Sequence, residues 1–236
     1  MKSILFLHGG ALNRKMWQHQ LDQFEGSYDV HAIDLPGHGK NTETKFTLSS
    51  SVKEIHRYIE SHIKGKLMIV GLSLGGYVAI SYMHQHPNRV SKLVLSGCCI
   101  QYSGMLGLLA RMNSYLLFII SRKRFESMQI NQLSKVASPT IVNCILEYGL
   151  SLVGARDSLR EVVGKDFSSM ISKFEVPVLL LNGESDKLNR HNEYRYTDVC
   201  SYIRVRTIID CGHMCNLEKA DAFSDIILEF IDTESA

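Results

Sequence analysis

The sequence carries almost no charge of one sign in excess. Its 236 residues hold 26 Lys/Arg against 24 Asp/Glu, a formal net charge of +2. That balance argues against nucleic acid as the main partner, because such binding needs a concentrated basic surface. Metal-type cysteine spacing is also missing. The six cysteines (Cys98, Cys99, Cys144, Cys200, Cys211 and Cys215) form no C-x-x-C pair, and the chain is too long to need a disulfide framework. They read as reduced thiols, which points to a cytoplasmic location. No long hydrophobic run is present. The longest, Met105 to Ile120, is interrupted by Arg111 and is too short for stable membrane insertion. Surface contact there is a lesser reading, suggested by Arg122-Lys123-Arg124 immediately after it. Met1-Lys2-Ser3 leads into Ile4–Leu7, too short for a secretory core. Internal repeats and low-complexity segments are lacking.

What is present is a soluble-type composition, 45% hydrophobic and 21% charged, sufficient for one domain with an insertion. Short aliphatic runs alternate with helical spacing. Strands are expected at Ile4–Leu7, Val30–Asp34, Lys66–Val70, Leu93–Ser96, Val176–Leu181 and Arg204–Ile209. Helices are expected at Lys15–Phe24, Ser49–Lys64, Leu74–His86, Asn189–Cys200 and Ala220–Ile231. This order implies an α/β fold with a mostly parallel sheet of about six strands, covered on both faces. Residues 98–173 break the alternation with helical patterns alone. They read as a helical cap inserted into a core made of 1–97 and 174–236. The cap holds nine Lys/Arg and five Asp/Glu, so the remainder is net acidic.

One motif carries chemistry. Gly71-Leu72-Ser73-Leu74-Gly75 lies between an apolar strand and a helix. A serine on so tight a turn has strained backbone angles, and glycines two residues away on each side remove the colliding Cβ atoms. The strain aims Oγ out of the sheet at the carboxyl end, where open α/β sheets bind ligands. An alcohol needs a base, and the base an orienting acid. His213, on the loop between the last strand and the last helix, is the best base. Surface-type His56, His62, His84 and His86 are poor candidates, and His8 and His38 sit in glycine turns that read as structural. The acid is expected from another strand end. Asp186 fits best, with Glu184 and Asp210 as competitors. The second requirement is a pair of N–H donors for an oxyanion. Leu74, after the serine, and Gly10, in His8-Gly9-Gly10-Ala11, are the candidates.

The segments Leu7-His8-Gly9-Gly10, Asp34-Leu35-Pro36-Gly37-His38-Gly39, Gly71–Gly76, Gly183-Glu184-Ser185-Asp186 and Gly212-His213 with Asn216-Leu217-Glu218 resemble the α/β-hydrolase superfamily along nearly the whole chain. The resemblance implies a catalytic order Ser73, Asp186, His213 and a helical cap over the site. In some members the acid follows the preceding strand; here that place is Ser96-Gly97-Cys98-Cys99, without a carboxylate. Two departures concern loops: Lys187-Leu188-Asn189 and Lys219 stand where the family often has proline. The implied activity is a carboxylesterase or thioesterase acting on a small-molecule ester of a small to medium acyl group, with no metal or organic cofactor. Two alternatives are a lyase or C–C hydrolase resembling the menaquinone-pathway synthase, and a ligand receptor or signalling protein that keeps the triad. The first would bring an arginine after Gly75-Gly76, where this chain has Tyr77. A dehalogenase would need aspartate at position 73. Candidate substrate contacts are Trp17, Tyr77, Met105 and Leu109, with Leu108, Met112, Leu116 and Phe118 as further apolar cap residues. No protein partner is indicated by the sequence.

Overall fold

A computed structural model describes residues 1–232, so the last four residues of the expected core segment 174–236 lie outside the described residues. Six strands form one sheet: β1 (Ser3–Leu7), β2 (Asp29–Ile33), β3 (Leu67–Leu72), β4 (Val90–Ser96), β5 (Val178–Gly183) and β6 (Ile203–Ile208). The order is β2-β1-β3-β4-β5-β6, and every pairing is parallel. The inner strands β1, β3 and β5 are buried along their whole length and β4 at every residue but Ser91, as expected of parallel strands covered on both faces. The edges differ. The β6 segment Ile-Arg-Val-Arg-Thr-Ile is largely exposed, and its arginines discourage pairing with another chain.

The helices are α1 (Gln18–Phe24), α2 (Leu48–His62), α3 (Leu74–Gln85), α4 (Gly104–Ile119), α5 (Arg122–Leu133), α6 (Pro139–Tyr148), α7 (Leu152–Val162), α8 (Phe167–Ile171), α9 (Lys187–Asn192), α10 (Tyr194–Thr197), α11 (Cys215–Glu218) and α12 (Ala220–Asp232). Local signals explain many ends. Thr47 and Ser50 make a reciprocal capping box that starts α2. Pro139 opens α6, where its missing N–H costs nothing. The expected helix Lys15–Phe24 begins instead as a 3-10 turn, Arg14–Trp17, because Asn13 caps it by accepting the Lys15 N–H. The expected Asn189–Cys200 helix is two short pieces that meet at Glu193.

Two apolar clusters sandwich the sheet. One holds α2 and α3, with Ile55, Ile59, Val78 and Tyr82 at its centre. The other packs α1 and α12 through Phe24, Trp17, Phe223 and Ile227. The five helices α4–α8 lie between β4 and β5 in the chain. The Asn13 side-chain amide donates to the carbonyls of Ile145 (2.9 Å) and Gly149 (3.0 Å), tying α6 to the loop after β1.

The chain runs from β1 to β2 on one side and then crosses to β3 on the other. The loops after β1 and β3 therefore diverge at their carboxyl ends. A crevice at this point is the expected ligand site of such a sheet.

Candidate active site

The crevice is built around the turn after β3. Ser73 has φ 55° and ψ −114°, a left-handed φ that a serine adopts only when its surroundings impose it. Two glycines make the turn feasible. A Cβ on Gly71 would lie 2.5 Å from the Gly75 carbonyl oxygen, and one on Gly75 would collide with the Leu7 carbonyl. The Ser73 N–H donates to the Ser96 carbonyl at 2.7 Å, fixing the turn to β4. Leu74 is the first residue of α3, so its N–H has no intrahelical acceptor. The loop after β1 lies alongside: a Cβ on Gly9 would be 3.7 Å from Ser73 Cβ, and one on Gly10 3.9 Å from Leu74 Cβ.

His213 reaches the same place from the loop between β6 and α11. Its Nδ1 is 2.7 Å from Asp186 Oδ2. The Asn189 side-chain amide donates to that same oxygen at 2.8 Å, and the Asn189 N–H donates to Oδ1 at 3.4 Å. Burial alone would raise the Asp186 carboxyl. The His213 hydrogen bond and charge, helped by Asn189, outweigh it and hold the group below the usual carboxylate value. Asp186 is thus an ionised, oriented acceptor for the imidazole. Neither competitor touches the ring. Glu184 is exposed and accepts the Asp210 N–H at 3.2 Å, and Asp210 is exposed as well.

Two supporting residues escaped sequence reasoning. Gly97 has φ +61°, and a Cβ there would lie 2.6 Å from His213 Cε1. The imidazole therefore lies directly over the Gly97 backbone, and the place without a carboxylate after β4 is the place the ring needs empty. Glu218 accepts the N–H of Gly212 at 2.7 Å and of Met214 at 3.1 Å, clamping the backbone on both sides of His213. Glu218 is visible in the sequence within the family-like segment Asn216-Leu217-Glu218, but that segment does not say what its carboxylate holds.

Ser73, His213, Gly10 and Leu74 all line one cavity of about 420 Å³. Core residues Ala11, Leu12, Leu72 and Met214 line its floor, and helices between β4 and β5 add apolar Leu117, Phe125, Met128 and Val162 and polar Asn113, Gln129, Gln132 and Ser158. Tyr77 also lines it. Its hydroxyl is buried and donates to the Ile100 carbonyl at 2.7 Å, and burial pushes its pKa well above the ordinary value. The ring is therefore a wall, and the hydroxyl stays protonated. Among the described residues, no group of three or more His, Cys, Asp or Glu is placed to hold a metal.

Three expected substrate contacts are corrected. Trp17 is fully buried, with its ring 5.1 Å from Phe6 and 5.9 Å from Phe223, and it does not line the cavity. A large apolar ring at the start of α1 is drawn into the sheet-facing core. Met105 and Leu109 lie outside the cavity and are 80% and 54% exposed. The reason is that α4 buries its small face, Gly107, Ala110 and Ser114. Trp17→Ala is expected to lower stability by about 3–5 kcal/mol, the usual range for a truncated core aromatic. Urea unfolding would measure this, and a loss under 1 kcal/mol would refute the core assignment.

Comparison with known proteins agrees with this architecture. The sequence pattern of the alpha/beta hydrolase family matches residues 4–226. The pimeloyl-[acyl-carrier protein] methyl ester esterase of Neisseria meningitidis is 25% identical over 98% of this chain and 94% of its own length. MenH from S. aureus superposes with a TM-score of 0.80 at 20% identity, covering 98% of this chain and 93% of that one. A thermophilic esterase from Thermogutta terrifontis gives 0.81 at 20% identity, covering 98% and 89%. With the family pattern spanning nearly all of the six-stranded sheet and its helices, the chain belongs to the α/β-hydrolase family.

Proposed function

We propose that this chain is a serine esterase that cleaves a carboxylic ester, or a thioester, of a small to medium acyl group. The observation that carries the reading is the strained Ser73 sharing one cavity with His213, whose far nitrogen is held by Asp186 at 2.7 Å. In this scheme His213 Nε2 takes the Ser73 proton as Oγ attacks the substrate carbonyl. The N–H groups of Gly10 and Leu74 receive the negative charge that forms on the carbonyl oxygen. The leaving alcohol or thiol takes the proton back from His213. Water, deprotonated by the same imidazole, then releases the acid and frees Ser73. Asp186 fixes the Nδ1–H tautomer and stabilises the cation formed in each half-reaction.

The cavity supports the size of the acyl group. Its volume lies toward the lower end of the about 300–1,000 Å³ typical of small-molecule sites. Residues 98–173 serve as the cap in this reading and residues 1–97 and 174–236 as the core, since cap side chains wall the cavity over Ser73. The Neisseria relative is named for hydrolysis of a methyl ester, which favours an ester as the bond cleaved.

A panel of p-nitrophenyl esters of increasing acyl length, combined with a fluorophosphonate probe, tests the proposal. Turnover that peaks at short to medium chains is expected, together with one covalent adduct located on Ser73 by peptide mass spectrometry. No turnover and no adduct would refute it.

A further inference from the structure

Helix α4 is inside out. It rests on the protein through Gly107, Ala110 and Ser114, the small residues of its sequence. Its large apolar residues point the other way. Met105, Leu108, Leu109, Met112, Leu116 and Ile119 are each more than half exposed. At about 100° per residue they share an arc of roughly 100° on one side of the helix. A continuous apolar stripe of this kind is unusual on a monomeric surface and marks an interaction site.

The rim of the stripe is cationic. Arg111 lies beside it, and Arg122, Lys123 and Arg124 lie at its end. Residues 98–125 contain no Asp or Glu. From α7, the Arg156 guanidinium lies 4.1 Å from the centre of the Phe118 ring, and Arg160 lies 5.2 Å from that of Tyr115. Two of these cations are matched locally, Arg122 by Glu126 and Arg156 by Asp157. The others leave the rim positive.

We propose that this face of α4 docks on a lipid bilayer surface that carries anionic headgroups. Such a surface offers an apolar layer beneath a negative one, the complement of an apolar stripe with a basic, partly aromatic rim. The face is the convex side of a single helix, which suits lying in a plane. A second copy of this chain is a poor occupant, because self-complementary pairing would bring the two cationic rims together. The helix lies on the bilayer and does not cross it. No single helix among the described residues is long and apolar enough to span; α4 and α5 reach that length and composition only together, with a 119° bend between them, and at about 1.5 Å per residue α4 alone reaches only about 24 Å. The cavity lies behind this helix, since Asn113 and Leu117 of α4 and the adjacent Ile120 line it. Docking would therefore bring the Ser73 cavity close to lipid and favour acyl esters that partition there. That last consequence rests on the esterase reading; the docking itself does not.

Flotation with vesicles of equimolar phosphatidylglycerol and phosphatidylcholine tests the docking by binding alone. The chain is expected to float with these vesicles, to float much less with pure phosphatidylcholine, and to be released by salt. Leu108→Glu with Met112→Glu should abolish flotation. Arg122→Gln with Arg124→Gln should weaken it about 25-fold, at about fivefold for each cation near an anionic surface. Both pairs are exposed and away from Ser73, and circular dichroism and thermal unfolding verify that they fold. If the glutamate pair does not fold, Met105→Ser replaces it, with weakened flotation expected. Absence of flotation with the anionic vesicles would overturn the proposal. So would a dimer seen by sedimentation velocity, abolished by Leu108→Glu, in a chain that ignores vesicles.

Discussion

Ser73→Ala is expected to lower turnover of the best p-nitrophenyl ester by about a millionfold, the scale seen when a triad nucleophile is removed. That corresponds to about 8 kcal/mol of barrier. The size follows from what the residue does in the proposed scheme. Without Oγ there is no acyl-enzyme, and only binding and the two N–H donors remain to assist water. Those donors are backbone groups of Gly10 and Leu74 and are unaffected by the substitution. A residual rate above uncatalysed hydrolysis is therefore expected, together with an unchanged fold. Asp186→Asn should cost about ten-thousandfold by a different route. The asparagine side chain can present an N–H to His213 Nδ1, which favours the tautomer with the proton on Nε2, the atom that must accept from Ser73. The two losses should not multiply in the double variant, because the residues act as one unit. Single-turnover and steady-state rates would measure both. Retention of wild-type turnover by Ser73→Ala would remove the nucleophile assignment, and retention by Asp186→Asn would remove the acid.

Much of the frame was legible because its signals are local. An apolar run followed by glycines and then a helical period marks a strand end whichever tertiary partner it finds, and β1, β3 and β5 are of this kind. The edge strand β6 was harder to characterise. Its Arg204 and Arg206 contradict the general picture of apolar strands, since an edge is buried on fewer sides. The serine turn was legible for the same local reason: its glycines are required within five residues of sequence. The features that hold His213 were not. Gly97 and Glu218 act through contacts whose meaning depends on how β4, β6 and α11 come together, and a lone glycine or glutamate does not reveal its neighbour. The helices after β4 were legible as helices, but the burying face was not. Large apolar residues normally mark the inward side. In α4 the inward side is the small one, so the apolar pattern points to the wrong face for Met105 and Leu109. Trp17 failed similarly: a position near the loop after β1 does not say whether a ring turns toward the cavity or toward Phe6.

Stability should fall by about 4 kcal/mol between pH 7.5 and pH 5, driven by two histidines outside the proposed chemistry. His8 and His38 are completely buried, with ring centres 5.1 Å apart. His8 Nε2 accepts the Leu35 N–H at 2.9 Å, which assigns its proton to Nδ1, facing the Gly9 carbonyl at 2.8 Å. His38 Nδ1 faces the Pro36 carbonyl at 2.9 Å. The two rings join the loop after β1 to the loop after β2, and both are held neutral. Burial lowers His8 to about 4, the Gly9 hydrogen bond opposing it only in part. Burial and the nearby His8 lower His38 to about 3, against the opposing Pro36 hydrogen bond and the charges of Asp34 and Asp157. In the unfolded chain each histidine titrates near its ordinary value of about 6.5. Below that pH the unfolded chain binds protons that the folded chain refuses. The stability these groups contribute is therefore complete above about pH 6.5 and lost as pH falls toward about 4 and 3. At pH 5 the loss is about 2 kcal/mol for each histidine, a large part of the about 5–15 kcal/mol that holds a domain folded. His86, lowered by burial and by His56, adds in the same direction. Asp186 titrates in a lower window, its contribution being lost only as pH falls from the ordinary carboxylate range through its own depressed value. Urea unfolding at the two pH values and constant ionic strength measures the difference. His8→Gln should lower stability at pH 7.5 and remove about half of the pH-dependent loss. Equal stability of the wild-type chain at both pH values, or an unchanged pH slope in the variant, would show that the buried pair does not couple protonation to folding.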